Sequence, residues 1–199
     1  MARTALLPSS DHVLPGGRVE ITIAEIRYIR MVKEALASNS GFTMCMVNEA
    51  DENQEIKKIP AIATLVNIVD FNALDGGLLG VTVEGRKKIR LLDIQIENDG
   101  LLIGEYKPYV QWHSLPITSK TQCLSDKLKL FYSTMPDIGA LYPAPKYHDL
   151  SWICQRWIEI LPLEVRYKQL LITQESPKLT IRFLLRLLNT EYNDESSAM

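Results

Sequence analysis

The sequence predicts an α+β protein in which a curled, mixed or antiparallel β-sheet with one inserted helix comes first and four helices follow. Short apolar runs separated by turn signals extend from residue 13 to about 112, a pattern typical of strands. From about Thr118 onward the apolar residues recur roughly every 3.6 positions, as in helices. One strand changes its apolar face at Leu91 and Leu92, which predicts a β-bulge or bend where a sheet curls into a barrel.

The strands of the first half are predicted from alternation. Leu79, Val81 and Val83 alternate with Gly, Thr and Glu, and the segment from Phe42 to Met46 has the same period. Two short segments between strands contain residues that tolerate positive φ, so we expect hairpin turns at Asp75-Gly76-Gly77 and Asn98-Asp99-Gly100.

One helix is predicted among these strands, from about Glu25 to Ser38. Its apolar stripe is expected to consist of Ile26, Ile29, Val32 and Leu36, which recur at helical spacing. A single helix inserted in a strand-rich half favours an α+β class over regular strand and helix alternation.

The second half has four helical stripes. The first comprises Leu124, Leu128, Phe131 and Met135, and the second comprises Leu150, Ile153, Trp157 and Leu161 before Pro162 ends it. The third covers residues 163–173, and the fourth begins at Ser176-Pro177, with Ser as cap and Pro at the first helical position. We expect Trp152 and Trp157 in the core. We also expect a barrel subdomain at 1–115, a helical subdomain at 116–192 and a disordered tail at 193–199.

Composition and charge favour a soluble protein with its own core. Of the 199 residues, 46% are hydrophobic and 23% charged, and the net charge of −2 gives no general attraction to nucleic acid or acidic membranes. No apolar run is long enough to span a bilayer, and the first twelve residues lack the apolar segment of a secretory signal. The three cysteines are far apart, as in a reducing compartment. We therefore expect a cytoplasmic protein without a membrane partner.

The search for catalytic chemistry finds no motif. Glycines at 80 and 85 have the spacing of a phosphate-binding loop, but Arg86 and Lys87 stand where that loop needs Lys and a hydroxyl. Cys45, Cys123 and Cys154 fall in predicted strands or helices, where small buried residues are expected. The three histidines lie singly beside loops. We expect no catalytic residue, no cofactor and no metal site.

One basic cluster is a candidate for nucleic-acid binding: Arg86, Lys87, Lys88 and Arg90, followed by Tyr106, Tyr109 and Trp112. Basic groups beside aromatic rings can hold single-stranded nucleic acid. The alternative is a solvated strand face whose charges prevent aggregation at a sheet edge. The neutral charge balance favours the second interpretation.

Segments from both halves of the chain resemble the Lon substrate-binding domain family. In the first half these are Leu14-Pro15-Gly16-Gly17, the strand and helix start Ile21 to Tyr28 with Met31 to Leu36, and the hairpin Gly77 to Gly85 followed by Lys88-Ile89-Arg90. In the second half they are Ser151-Trp152, Glu159 to Leu163, and Lys168 to Leu171. The ordered set covers nearly the whole chain.

This resemblance implies a PUA-like β-barrel joined to a four-helix bundle, and a non-catalytic module that holds unfolded or damaged polypeptide, alone or with a protease. Because the sequence has neither the motor's phosphate loop nor the protease's Ser and Lys segment, we expect a free-standing version that is not an enzyme. A nucleic-acid (RNA) module is the alternative, since PUA-like barrels often handle RNA, and a small hydrolase is a third class. Candidate polypeptide contacts are Glu25, Arg27, Tyr28 and Trp112; the two aromatic residues have half-buried packing as their alternative role.

Overall fold

The structure, a computed structural model, describes residues 2–47 and 59–195. These residues form six strands and six helices, which confirms the predicted α+β class. The strands are β1 (Ala2–Ser9), β2 (Arg18–Ile23), β3 (Phe42–Met46), β4 (Ile62–Ala73), β5 (Leu79–Ile96) and β6 (Leu102–Pro108). The helices are α1 (Ile26–Ser38), α2 (Gln122–Thr134), α3 (Pro136–Gly139), α4 (Leu150–Ile160), α5 (Val165–Ile172) and α6 (Lys178–Glu195).

Hydrogen bonding closes five of these strands into a ring. β5 pairs with β4 along one edge; along the other edge it pairs first with β2 and then with β6. β6 pairs with β1, β1 with β3 and β3 with β4, which completes the ring. The β1–β3 pairing is parallel and the other pairings are antiparallel, so the sheet is mixed. β2 lies outside the ring at the end of the sheet.

The irregularity predicted in the long strand is confirmed. The register of β5 against β6 shifts between Leu91 and Asp93, so Leu92 is the extra residue of a bulge. Leu91 is buried and Leu92 is 46% exposed, because the bulge interrupts the alternation of faces. Both predicted hairpin turns are also present, with positive φ at Gly76, Gly77 and Gly100.

Helix α1 forms where predicted but buries a different face. Met31, Val32 and Ala35 are its buried residues and pack in the same cluster as β2, β3 and β5. Of the predicted stripe, Ile26 is 85% exposed and Leu36 is also exposed, so that part of the prediction is wrong. The reason is rotational: residues 28, 31, 32 and 35 have the same helical spacing, and contact with the sheet selects that face.

The helical half has its own core, centred on α4. Residues Leu150 to Ile158 of this helix are all buried, since α2, α5, α6 and the barrel surround it. Trp152 and Trp157 lie in this core, as predicted. Asp149 caps α4 by accepting hydrogen bonds from the backbone N–H groups of Ser151 and Trp152.

Two segment assignments need correction. β1 begins at Ala2, whereas the prediction places the first strand after residue 13; its strand conformation is stabilised by β3 and β6, both distant in sequence. Helix α6 continues to Glu195, so residues 193–195 of the predicted tail are helical, and 196–199 lie outside the described residues. The subdomain boundaries, the PUA-like assignment and the four-helix bundle stay predictions.

A close backbone approach at Gly85 gives the first test of this fold. A Cβ on Gly85 would lie 2.1 Å from the Leu14 carbonyl oxygen, so backbone must move to admit it. We expect Gly85→Ala to lower the free energy of unfolding by about 1–3 kcal/mol, the usual cost of overpacking. Urea denaturation would measure the free energy of unfolding, and Thr82→Ala on the same strand is the control. Equal stability of Gly85→Ala and wild type would contradict this contact.

Candidate functional site

An open groove lies where the wall of the barrel is interrupted between β1 and β2. β6 pairs with β1 only as far as Leu6, so Leu7–Ser9 continue with β3 on one side and no described strand on the other. β2 and β6 pair with the same edge of β5, β2 with its first part and β6 with its last part. The other edge of β2 pairs with no strand among the described residues. A cavity of about 250 Å³ separates Leu7–Ser9 from Ile21–Ala24. Among the described residues, no strand fills the groove between these two edges.

The outer edge of β2 presents backbone groups to this groove. Gly85 N–H donates to the Gly17 carbonyl, whereas Arg18 N–H points away from β5 and donates to the Tyr142 hydroxyl at 3.0 Å. In an antiparallel pair the inward and outward residues alternate. Glu20 and Thr22 therefore direct their N–H and C=O groups away from β5, where an extended chain could pair with them.

The walls of the groove are apolar at the base and acidic at the rim. Leu7, Ile21 and Ile23 are buried side chains at its base. Asp11 and Glu25 are the charged residues that line it. An apolar segment that also carries a basic residue would match both features.

Three of the predicted contacts lie together at this rim. Arg27 Nε donates to Glu25 at 2.7 Å, and the Arg27 guanidinium lies 4.7 Å from the centre of the Tyr28 ring. Arg27 also donates to the Gly100 carbonyl at 2.8 Å, which ties the start of α1 to the β5–β6 turn. Glu25 and Tyr28 line the groove, whereas Arg27 holds them in place.

The fourth predicted contact, Trp112, lies elsewhere. Its side chain is buried between the two halves, and its indole N–H donates to the Gln174 carbonyl at 2.8 Å. This burial fits the packing role that was the alternative interpretation, and polypeptide contact at Trp112 stays a prediction.

The predicted basic cluster is divided among different surroundings. Lys88 is only 1% exposed and donates to the Ile172 carbonyl at the end of α5, so its prediction as part of a solvated strand face is wrong. Burial lowers the pKa of Lys88 to about 8. Arg90 lies over the Tyr109 ring, while Arg86 and Lys87 line a separate cavity beside α1. The helical half covers part of this strand face, which local sequence does not reveal.

A buried ionic pair that the sequence analysis missed joins the two halves. Arg156, with no exposed surface, donates from Nε and Nη2 to the Glu159 carboxylate at 2.7 and 2.8 Å. Arg156 Nη2 also donates to the carbonyls of Leu14 and Pro15, and Glu159 accepts from the Leu14 N–H. The available signal was a charged pair three residues apart within the most apolar helix.

Two titratable groups beside this pair have shifted pKa values. His12 Nδ1 lies 2.9 Å from Lys168 Nζ, and burial, with the nearby lysine charge, lowers the pKa of His12 to about 4. Burial also lowers the pKa of Lys168, which donates to the Glu159 carbonyl at 3.1 Å. Burial raises the pKa of the Glu159 carboxyl to about 7, against the opposing effect of Arg156. His12 therefore accepts a hydrogen bond in its neutral form.

Burial keeps the thiols of two of the three cysteines protonated. Burial raises the pKa of the Cys154 thiol to about 12, and Cys45 is also buried with a raised pKa. No group of three or more His, Cys, Asp or Glu is placed to hold a metal ion within the residues that the structure describes. Over the same residues, no helix has the length and apolar character to cross a membrane.

The mixed α+β fold matches that of Lon N-terminal domains. The Lon N-terminal domain protein from Xanthomonas campestris has a TM-score of 0.72 and 20% identity over 94% of this chain and 98% of that chain. The N-terminal domain of the Mycobacterium avium complex Lon protease has a TM-score of 0.62 and 16% identity over 93% of this chain and 97% of that chain.

The family model described as the ATP-dependent protease La (LON) substrate-binding domain matches residues 3–190. The chain belongs to this family, as the sequence resemblance predicts. A comparison with curated proteins gave no match.

The lowered pKa of His12 predicts a pH dependence of stability. Because the unfolded chain binds a proton near pH 6.5 and the folded chain only near pH 4, this group stabilises the fold above pH 6.5 and loses that contribution as pH falls toward 4. We expect His12→Asn to reduce the fall in melting temperature between pH 7 and 4. The exposed His148 supplies the control, His148→Asn. Identical pH profiles for wild type and His12→Asn would contradict the buried neutral histidine.

Proposed function

We propose that the chain is a non-catalytic module that binds extended polypeptide in the groove between β1 and β2. The observation that carries this proposal is the missing-strand geometry of the groove, in a chain of the Lon substrate-binding domain family. An extended segment that enters the groove adds backbone hydrogen bonds to β2 while its side chains meet the apolar base. Strand addition recognises backbone, so it accepts segments of varied sequence.

The same geometry favours unfolded or damaged polypeptide as the partner. Folded proteins keep most strand edges paired or covered, whereas an unfolded chain exposes both extended backbone and apolar side chains. Asp11 at the rim adds a preference for segments with Lys or Arg, whereas Glu25 already pairs with Arg27. We propose that the protein acts in the cytoplasm and holds such segments alone or for a protease. The division of the basic cluster among three surroundings gives no support to an RNA-binding role.

Proline at Thr22 tests strand addition directly. The Thr22 N–H points away from β5, so Thr22→Pro removes a donor from the groove without removing one from the β2–β5 ladder. We expect at least about a fivefold loss of affinity, since one hydrogen bond contributes roughly 1 kcal/mol. Fluorescence anisotropy with a reduced, alkylated model protein would measure it.

Thr22→Ala is the matched control, because it removes the side chain and keeps the N–H. It should bind as wild type does. If Thr22→Pro, with an unchanged melting temperature, also binds as wild type does, polypeptide does not pair with β2.

Tyr28 tests the rim of the groove. We expect Tyr28→Ala to weaken binding of the same model protein by about 1–3 kcal/mol, the usual loss for an aromatic anchor. Tyr167→Ala, at an exposed tyrosine on α5, is the control. A fall in melting temperature with unchanged affinity would show that Tyr28 only packs α1 on the barrel.

A further inference from the structure

A second cavity lies at one end of the strand ring, beside the C-terminal half of α1. Its volume is about 430 Å³, within the range of small-molecule sites. Each strand of the ring, or the residue next to it, contributes to its lining: Arg3 of β1, Gly41 before β3, Leu65 of β4, Lys87 of β5 and Tyr106 of β6. α1 contributes Met31, Glu34, Ala35 and Ser38. The cavity is thus separate from the groove between β1 and β2.

The cations of this cavity have no carboxylate partner among the described residues. Arg3 donates to the side-chain oxygen of Gln95 at 3.0 Å, and Arg86 donates to that of Asn67 at 3.3 Å; both acceptors are neutral amides. Lys87 makes no hydrogen bond or ion pair with any residue that the structure describes.

The acids of the cavity share one cation, Arg30, with a third carboxylate outside it. Glu34 and Glu97 line the cavity, and both bind Arg30, at 3.0 and 2.5 Å, while Arg30 itself does not line the cavity. Arg30 also binds Asp99, and its three carboxylate partners raise its pKa. Three cations and two acids line the cavity, so its lining has a net charge of +1, and none of the three cations pairs with a carboxylate among the described residues.

The Tyr106 hydroxyl adds a donor to this set. Thr4, Ser38 and Ser40 also line the cavity, but their hydroxyls already hydrogen-bond within the protein. Guanidinium groups bind phosphate oxygens through paired N–H donors, an ammonium group adds a point charge, and hydroxyls donate to the remaining oxygens. A group with several charged oxygens uses these donors more fully than a single carboxylate does.

We propose that this cavity binds a small phosphate-bearing anion. The cavity volume of about 430 Å³ suits a small molecule, and the three cations without a described carboxylate partner favour a multiply charged one. A nucleic-acid strand would need a longer basic surface, but Lys88 is buried and Arg90 lies over Tyr109. The proposal is independent of polypeptide binding, because it rests on a different cavity.

Isothermal titration of the full chain with inorganic pyrophosphate at low salt tests the proposal, and a nucleoside diphosphate serves as the second probe. We expect saturable binding with one site per chain, and at least a tenfold loss of affinity in Arg86→Gln with Lys87→Gln. The matched control is Lys33→Gln with Lys146→Gln, which removes the same charge from exposed lysines outside the cavity. If the nucleoside diphosphate binds more tightly than pyrophosphate, the ligand is a nucleotide. If the two probes bind equally, the ligand is an inorganic phosphate.

Three results would overturn the proposal: no saturable binding of either probe, the same loss in the control, or tighter binding of a single-stranded RNA oligonucleotide that depends on Arg90. If the double variant fails to fold, Arg3→Gln replaces it, since Arg3 lies near the chain start and its removal leaves the β5 ladder intact. Unchanged pyrophosphate affinity in folded Arg3→Gln and Arg86→Gln proteins would also overturn it.

Discussion

The buried pair of Arg156 and Glu159 is the constraint on which the arrangement of the two halves depends. Removing one partner of such a pair typically costs about 3–5 kcal/mol, because the other charge is left in the interior. Here the pair also engages the backbone of Leu14 and Pro15, so it holds the segment before β2 against α4. The approach is so close that a Cβ on Gly17 would lie 2.2 Å from the Glu159 carboxylate. Arg156 Nη1 has no described hydrogen-bond partner, and the guanidinium lies 5.2 Å from the Trp152 ring.

The position of the groove follows from this joint and from the closure of the ring. β2 starts at Arg18, directly after the held segment, and the Tyr142 hydroxyl accepts from the Arg18 N–H, so the helical half blocks the first outward donor of β2. At the other wall, the pairing of β1 with β6 ends at Leu6, and Leu7–Ser9 of β1 continue beyond it. The open length of both walls is therefore set by contacts outside the groove.

Local patterns predicted the elements well and their surroundings less well. The bulge at Leu91 and Leu92, both hairpin turns and the helix from Ile26 are visible in the sequence because each depends on neighbouring residues. β1 and the burial of Lys88 depend on partners far along the chain, which alternation does not encode. The same distinction applies to the site. Glu25 and Tyr28 are predicted as contacts because they stand at a helix start, whereas the open edge of β2 exists only once β6 and β1 have taken their places.

Helix α1 connects the two candidate sites. Tyr28, near its start, lines the groove, and Met31, Glu34, Ala35 and Ser38 line the second cavity. The β5–β6 hairpin holds the helix at two points, because Arg27 donates to the Gly100 carbonyl and Arg30 binds Glu97 and Asp99. Arg30 thus fixes the helix and also pairs with two acids of the cavity. The helix start at the groove and the carboxylates beside the cavity are therefore held by the same hairpin.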